Sequence, residues 1–321
     1  MIELAAIPFP LSRLGAGCLS YGGKWNNAPL QPNAVKDARA AVDAALEAGI
    51  NLFDHADIYC LGKSETAFGQ VLADNPGLRD SMVLQTKCGI RLPDTATDES
   101  EQYDFSRTHI VAAVEGSLKR LRVTHVDILL LHRPDPLVEP LEVAAAFDEL
   151  QATGKVLAFG VSNHTAAQIS LLRKYLKQPV AVNQIEFSLL HTAAIDGGIC
   201  AVERALSPVG TAGIIEYCRE HDILIQAWGP LAGGRLASTP PPDNKHLCKL
   251  REVLVEVAEA HDTRPEIIAL SWILRHPAGI QPIIGSRHAT RLRQQAQCLD
   301  VEITRAEWYK LFIAGRGEFL P

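Results

Sequence analysis

What most constrains this chain is an alternation. Short apolar or β-branched runs recur eight times, and stretches of helical period separate them. The strand candidates are "SRLGAGCLS" (12–20), "NLFDHA" (51–56), "SMVLQT" (81–86), "VDILLLH" (126–132), "VLAFGVS" (156–162), "VAVNQIEF" (180–187), "ILIQAWGPL" (223–231) and "GIQPIIGS" (279–286). Between them, "AVKDARAAVDAALEAG" places Ala38, Val42, Ala45 and Leu46 on one helical face and closes on Gly49 as a C-cap. "TAAQISLLRKYL" offers Thr165 as an N-cap. Strands this uniformly apolar need cover on both faces, which parallel strands receive from crossover helices. Eight such units without a composition break predict an α/β chain folded as a single (β/α)8 TIM barrel, one domain over 1–321. A doubly wound sheet is the rival. No GxGxxG follows an early strand, however, and "LGAGCLSYGG" does not open a helix.

Composition then excludes several function classes. With 321 residues, 47% hydrophobic, 21% charged and a formal net charge of -6, the chain reads as an ordinary soluble globular protein. It has no basic stripe of the kind nucleic acid requires. "MIELAAIPFPLSRLG" lacks the basic start and cleavage site of a signal peptide, and no run approaches the ~20 apolar residues of a membrane span. The seven cysteines are scattered and never spaced as CxxC, so reduced thiols in a cytoplasmic protein are expected, with no metal site.

In a barrel of parallel strands, chemistry gathers where the strands end at their C-termini. Asp54 and Tyr59 lie at the exit of the second strand, Lys87 at the exit of the third and His132 at the exit of the fourth. A phenol is a poor acid at its ordinary pKa of ~10, and a neighbouring ammonium lowers that value. Lys87 keeps its charge in a dry pocket only if a carboxylate pairs with it, and Asp54 supplies one. His132 can donate to a substrate oxygen beside Tyr59. An acid, its tuner, a counter-ion and an orienting donor together suit protonation of a carbonyl oxygen. A lone histidine at a strand end is usually structural; four matched strand exits favour catalysis. Asp57 is read as structural, capping its loop.

The chain resembles the aldo-keto reductases along essentially its full length. It is closest to the uncharacterised bacterial oxidoreductase branch whose fourth-strand loop reads "LHRPDPL". The likeness rests on "LGAGCLS", "NLFDHADIY", "SETAFGQVL", "QTKCG", "LLLHRPDPL", "GKVLAFGVSNH", "NQIEFSLL", "AWGPLAGGRL" and "IIGSRHATRL", all in family order. The resemblance implies a catalytic tetrad of Asp54, Tyr59, Lys87 and His132 and an NADP(H) cofactor bound without a Rossmann domain. It assigns Ser162, Asn163 and Gln184 to the nicotinamide carboxamide and Trp228 to the nicotinamide ring, with Gly229 and Leu231 beside it. Gly285, Ser286, Arg287, Arg291, Gln294 and Gln295 fall to the adenosine end, where the arginines suit a 2′-phosphate. Gln294 and Gln295 stand where the family often has Glu-Asn, Gly229 replaces a common serine and Cys60 a common glycine. Tyr21, Trp25, His55 and Arg133 are candidates for the substrate pocket, with loop packing as the competing reading.

The expected activity is NADPH-dependent reduction of an aldehyde or ketone, a small-molecule carbonyl substrate, by hydride transfer with Tyr59 as proton donor. Two alternatives remain: an NAD-linked sugar or alcohol dehydrogenase, and a cofactor-sensing regulatory subunit. A monomer or a weak homo-oligomer is expected, with neither nucleic acid nor membrane as partner. Residues 192–221 are longer than one crossover needs and are broken at Pro208 and Gly210. An inserted loop over the barrel mouth and an oligomer contact both fit that stretch.

Overall fold

The computed structural model describes residues 1–93, 100–199, 213–241 and 243–320. Its principal strands are β1 (Gly15–Gly17), β2 (Leu52–Asp54), β3 (Val83–Cys88), β4 (Val126–Leu131), β5 (Val156–Ser162), β6 (Val180–Glu186), β7 (Leu224–Trp228) and β8 (Gln281–Ile284). They close in the order β1-β8-β7-β6-β5-β4-β3-β2. The registers are parallel, as between Gly15 and Leu52, Leu52 and Val83, and Gln85 and Ile128. This is the (β/α)8 barrel that the alternation predicts: seven of the eight predicted runs contain one of these strands, and the third run, 81–86, overlaps β3, which continues to Cys88. A small antiparallel pair, Ile90–Arg91 with Gln102–Tyr103, stands apart from it.

The helices are α1 (Pro32–Glu47), α2 (Lys63–Ala73), α3 (Arg107–Leu121), α4 (Pro140–Ala152), α5 (Ala166–Arg173), α6 (Ala193–Ile199), α7 (Ile214–Glu220), α8 (Lys245–Ala260), α9 (Pro265–Leu274), α10 (Ala289–Ala296) and α11 (Arg305–Arg316). Local sequence explains their ends. Pro32, Pro140 and Pro265 open three helices where a missing N–H costs nothing. Thr165 caps α5 in a full capping box with Gln168. Gly49 lies just past α1 at φ 74°, and the Ile50 amide returns to the Ala45 carbonyl at 2.8 Å. The predicted break at Pro208 and Gly210 lies outside the described residues, which resume at Gly213 before α7.

Two compact units share the chain. The first holds Met1–Asn183 with Gly285–Leu292, the second Gln184–Ile284 with Arg293–Pro321. In the first, β3 and β4 are buried at every position and α1 lays Ala38, Ala41, Val42 and Ala45 inward. In the second, Trp272 of α9 stacks on Phe187 and on Trp308 of α11, and the two indole N–H groups donate to each other's backbone carbonyls.

Candidate active site

The first unit brings three of the four predicted strand-exit residues into direct contact. Lys87 closes on both Asp54 oxygens at 2.7 Å. The same ammonium donates to the His55 carbonyl at 2.9 Å and to the Tyr59 hydroxyl at 3.0 Å. His132 joins through its ring, which meets Tyr59 edge-on at 5.9 Å between centroids. Its Nδ1 is sealed from solvent and has no hydrogen-bond partner among the described residues. Asp54 and Lys87 are 2% and 1% exposed, so the pair is desolvated, and its geometry must compensate that cost. Gln85 adds a hydrogen bond to Asp54 Oδ1 at 2.6 Å.

The electrostatics follow from burial. Burial alone pushes Lys87 down, but the Asp54 carboxylate and Tyr59 oxygen outweigh it, so the ammonium titrates above its ordinary value. For Tyr59 the balance falls differently from the sequence expectation. The Lys87 charge does lower the phenol, but burial is the larger effect and Asp54 adds to it, so the net displacement is upward. Tyr59 is therefore a neutral, proton-bearing phenol at physiological pH. His132 is pushed well down, first by burial and then by Lys87 and Arg133, which leaves a neutral imidazole.

A polar layer that the sequence reading did not assign supports this cluster. Glu65, fully buried, accepts from Thr86 Oγ1 at 2.7 Å and pairs with Arg120 at 2.8 Å. Thr86 is the chain neighbour of Lys87, so the contact fixes β3 beside its reactive end. Asp57 lies near the same pair, its amide bound to the Lys87 carbonyl at 3.0 Å. Burial, then the Glu65 charge, raise the Asp57 carboxyl to about 7. Cys60 adopts φ 51° and gives its thiol to the Leu19 and Gly23 carbonyls at 3.2 Å each. That backbone conformation is one glycine adopts without strain.

Of the four candidates for a substrate pocket, two lie beneath the site. His55 is fully buried edge-on against Phe68, and Tyr21, 2% exposed, stacks on the same ring. Trp25 is exposed and Arg133 half-buried. Burial and the Lys87 charge depress His55 to about 3.

The candidate cofactor residues fall in both units. In the first, Asn163 sits at φ 61° and donates to Ser162 Oγ at 2.8 Å and to the His132 carbonyl at 3.4 Å. Ser286 Oγ accepts from the His288 amide as the chain enters α10. Arg287 is half-buried and reaches the Ser20 carbonyl at 3.5 Å, and Arg291 is exposed in the first turn. Gly285 is exposed. In the second unit, Gln184 is buried and Trp228, Leu231 and Gln294 are half-buried. Gly229 holds φ 63° with only Glu186 near the place a Cβ would take. Gln295 has a sealed Oε1 without a hydrogen-bond partner among the described residues. Within the first unit alone, the hydroxyl of Ser162 and the amide of Asn163 suit a carboxamide, and the guanidinium groups of Arg287 and Arg291 at the head of α10 suit a phosphate, donors of the kinds that a nicotinamide dinucleotide needs.

Residues 13–312 match the model of the aldo/keto reductase family. The chain is 40% identical over 293 residues to a 6-dehydroglucose reductase of Novosphingobium aromaticivorans, covering 89% of this chain and 88% of that protein. It is 34% identical over 310 residues to the 6-dehydroglucose reductase of Agrobacterium fabrum, with 96% and 95% covered. In fold it is similar to the glycerol dehydrogenase of Gluconobacter oxydans, with a TM-score of 0.80 and 24% identity over 100% of this chain and 96% of that one.

Proposed function

This chain belongs to the aldo/keto reductase family, and from that premise we propose that it uses NADPH to reduce an aldehyde or ketone to the alcohol, with Tyr59 as the proton donor. The family makes it an oxidoreductase that works with a nicotinamide cofactor on small carbonyl compounds. The observation that carries the finer reading is the position of Lys87 Nζ, which is buried, paired with Asp54 and 3.0 Å from Tyr59 OH.

When bound, the reduced nicotinamide supplies the hydride that a carbonyl carbon accepts. The carbonyl oxygen then needs a proton, and Tyr59 holds one because burial keeps its phenol neutral. As the proton leaves, negative charge grows on the Tyr59 oxygen, and Lys87 stabilises it across a hydrogen bond already formed. Asp54 keeps Lys87 cationic throughout. His132, neutral and against the Tyr59 ring, is suited to orient the carbonyl oxygen. By their motif positions Ser162, Asn163 and Gln184 hold the carboxamide, Trp228 with Gly229 and Leu231 the nicotinamide ring, and Gly285, Ser286, Arg287, Arg291, Gln294 and Gln295 the adenosine end.

Two relatives named 6-dehydroglucose reductase favour an oxidised hexose as the first substrate to try. The test is a panel of aldehydes, ketones and oxidised sugars, followed by loss of NADPH absorbance. Turnover that is present in wild type and lost in Tyr59→Phe supports the reading. No turnover of any carbonyl, with NADPH still bound, would point instead to a cofactor-sensing subunit.

A further inference from the structure

The chain leaves Tyr59 through three successive left-handed residues: Cys60 at φ 51°, Leu61 at 60° and Gly62 at 80°. Glycine takes that conformation freely, but in Cys60 and Leu61 the side chain crowds the backbone. Strained residues of this kind persist only where their surroundings over-determine them, and they gather at working sites. This turn starts at the proposed proton donor, so whatever holds it also bears on Tyr59.

The first loop, residues 18–31 between β1 and α1, is fastened to it. Ser64 is fully buried; its Oγ donates to the Leu19 carbonyl at 2.9 Å and accepts from the Gly22 amide at 3.0 Å. Lys63 Nζ donates to the Asn26 carbonyl at 2.7 Å, to Asn26 Oδ1 at 3.0 Å and to the Ala28 carbonyl at 3.2 Å. The Cys60 thiol adds its contacts with Leu19 and Gly23. Gly22 fits so closely against this segment that a Cβ there would lie 2.5 Å from the Ser64 nitrogen. The loop also starts from a fixed point, because the Cys18 amide donates to the Asp54 carbonyl at 2.8 Å. The fastening reaches Tyr59 through the main chain. The Ser64 amide donates to the Tyr59 carbonyl at 3.3 Å, so the residue whose hydroxyl grips the loop also holds the backbone of the phenol.

We propose that Lys63 and Ser64 are positioning residues for the proton transfer: by fastening the left-handed turn to the first loop, they hold the Tyr59 hydroxyl against Lys87. This rests on the reading of Tyr59 as proton donor and extends it to what sets its place. Released from the loop, the strained turn relaxes toward ordinary backbone angles, and Tyr59 at its head moves with it. The hydroxyl then leaves its position 3.0 Å from Lys87 Nζ, and a catalytic group loses much of its effect when it is misplaced by ~1 Å.

The test uses full-length protein and two carbonyls of different size, 6-dehydroglucose and propanal. The chemical rate is read as loss of NADPH absorbance in a single turnover, NADPH affinity from quenching of tryptophan fluorescence, and folding from thermal melting. Lys63→Met should slow the single turnover by about threefold to tenfold, and by the same factor for both carbonyls, because one proton donor serves them both. KM and NADPH affinity should stay within about twofold of wild type. Lys63→Arg keeps a cationic donor and should restore most of the rate. Ser64→Ala should show the same uniform loss; if it fails to fold, the Lys63 pair carries the test alone. A wild-type rate in Lys63→Met would overturn the proposal. So would a loss confined to KM, or one that falls on 6-dehydroglucose and spares propanal, since the loop would then act as a pocket wall and not through Tyr59. If Tyr59→Phe turns over both carbonyls like wild type, or wild type turns over neither, the proton-donor reading falls first and takes the proposal with it.

Discussion

Lys87 reaches Tyr59 at its hydroxyl, 3.0 Å from Nζ, and lies 4.9 Å from the centroid of the same ring. An ammonium has donors only, so the phenol oxygen must be the acceptor in this bond. Tyr59 thus keeps its own proton for a third group. In the proposed reaction, that leaves a proton donor beside a charge that favours its conjugate base.

Removing that proton tests the role directly. Tyr59→Phe keeps the ring and its edge contact with His132 but leaves nothing to give the carbonyl oxygen. Turnover should fall by ~10² or more, the lower range for general acid catalysis. NADPH affinity, measured separately by fluorescence titration, should stay close to wild type. Near-normal turnover would remove Tyr59 from the mechanism.

Direction matters as much as role. Because burial holds Tyr59 above the ordinary phenol range, carbonyl reduction should be flat across neutral pH and fall only at strongly alkaline pH. Alcohol oxidation needs the phenolate and should rise with pH over the same interval. Lys87→Met removes the field that opposes burial, so it should push the phenol higher still and lower kcat more than Asp54→Asn. Asparagine can still accept from Lys87 through its oxygen. The reverse order of kcat for one substrate would mean that the two roles are misassigned.

Much of this was legible in the sequence because it depends on local pattern. Apolar runs of strand length separated by helical period predicted the eight strands, and the change from apolar to polar marked Asp54, Lys87 and His132 as strand ends. The direction of the Tyr59 displacement was not legible. It is a contest between a nearby cation and the depth of burial, and only packing sets the second. The Gln85 amide that bonds Asp54 also stayed hidden, since one polar residue in an apolar strand carries no sign of its partner. Glu65 and Arg120 are far apart in sequence, and nothing local pairs them. His55 follows Asp54 directly and reads as a site residue, but the strand's alternation turns it under, against Phe68.

Asp57 makes stability depend on pH near neutrality. Its carboxyl titrates at about 7 in the fold against an ordinary 3.8, because burial and Glu65 disfavour its charge. The folded protein binds more protons than the unfolded chain between those values, so stability falls as pH rises through that window. The contribution is fully present below 3.8 and lost above about 7. A displacement of that size corresponds to roughly 2–4 kcal/mol after allowance for partial exposure. Asp57→Asn cannot ionise and keeps an oxygen for the Ile58 amide. Its melting temperature should exceed wild type at pH ~8, and the advantage should shrink toward pH ~5. A constant difference across that range would mean that Asp57 does not titrate there.

The proposal that NADPH is the cofactor rests on the head of α10. NADPH differs from NADH by one 2′-phosphate, so discrimination requires cations near the adenosine ribose. Arg287 and Arg291 stand at the N-terminus of a helix, where backbone amides already favour an anion. They differ in setting. Arg287 is half-buried and reaches the Ser20 carbonyl, so its loss should disturb the first loop as well as the phosphate. Arg291 is exposed and gives the cleaner test. A charge-assisted contact is worth ~1.5–3 kcal/mol, and solvent screening places this one at the lower end, about tenfold in affinity. Arg291→Ala should weaken NADPH by that factor and leave NADH nearly unchanged, as isothermal titration of both cofactors would measure. Equal losses for the two would place Arg291 on the shared pyrophosphate, and the preference for NADPH would then lose its main physical support.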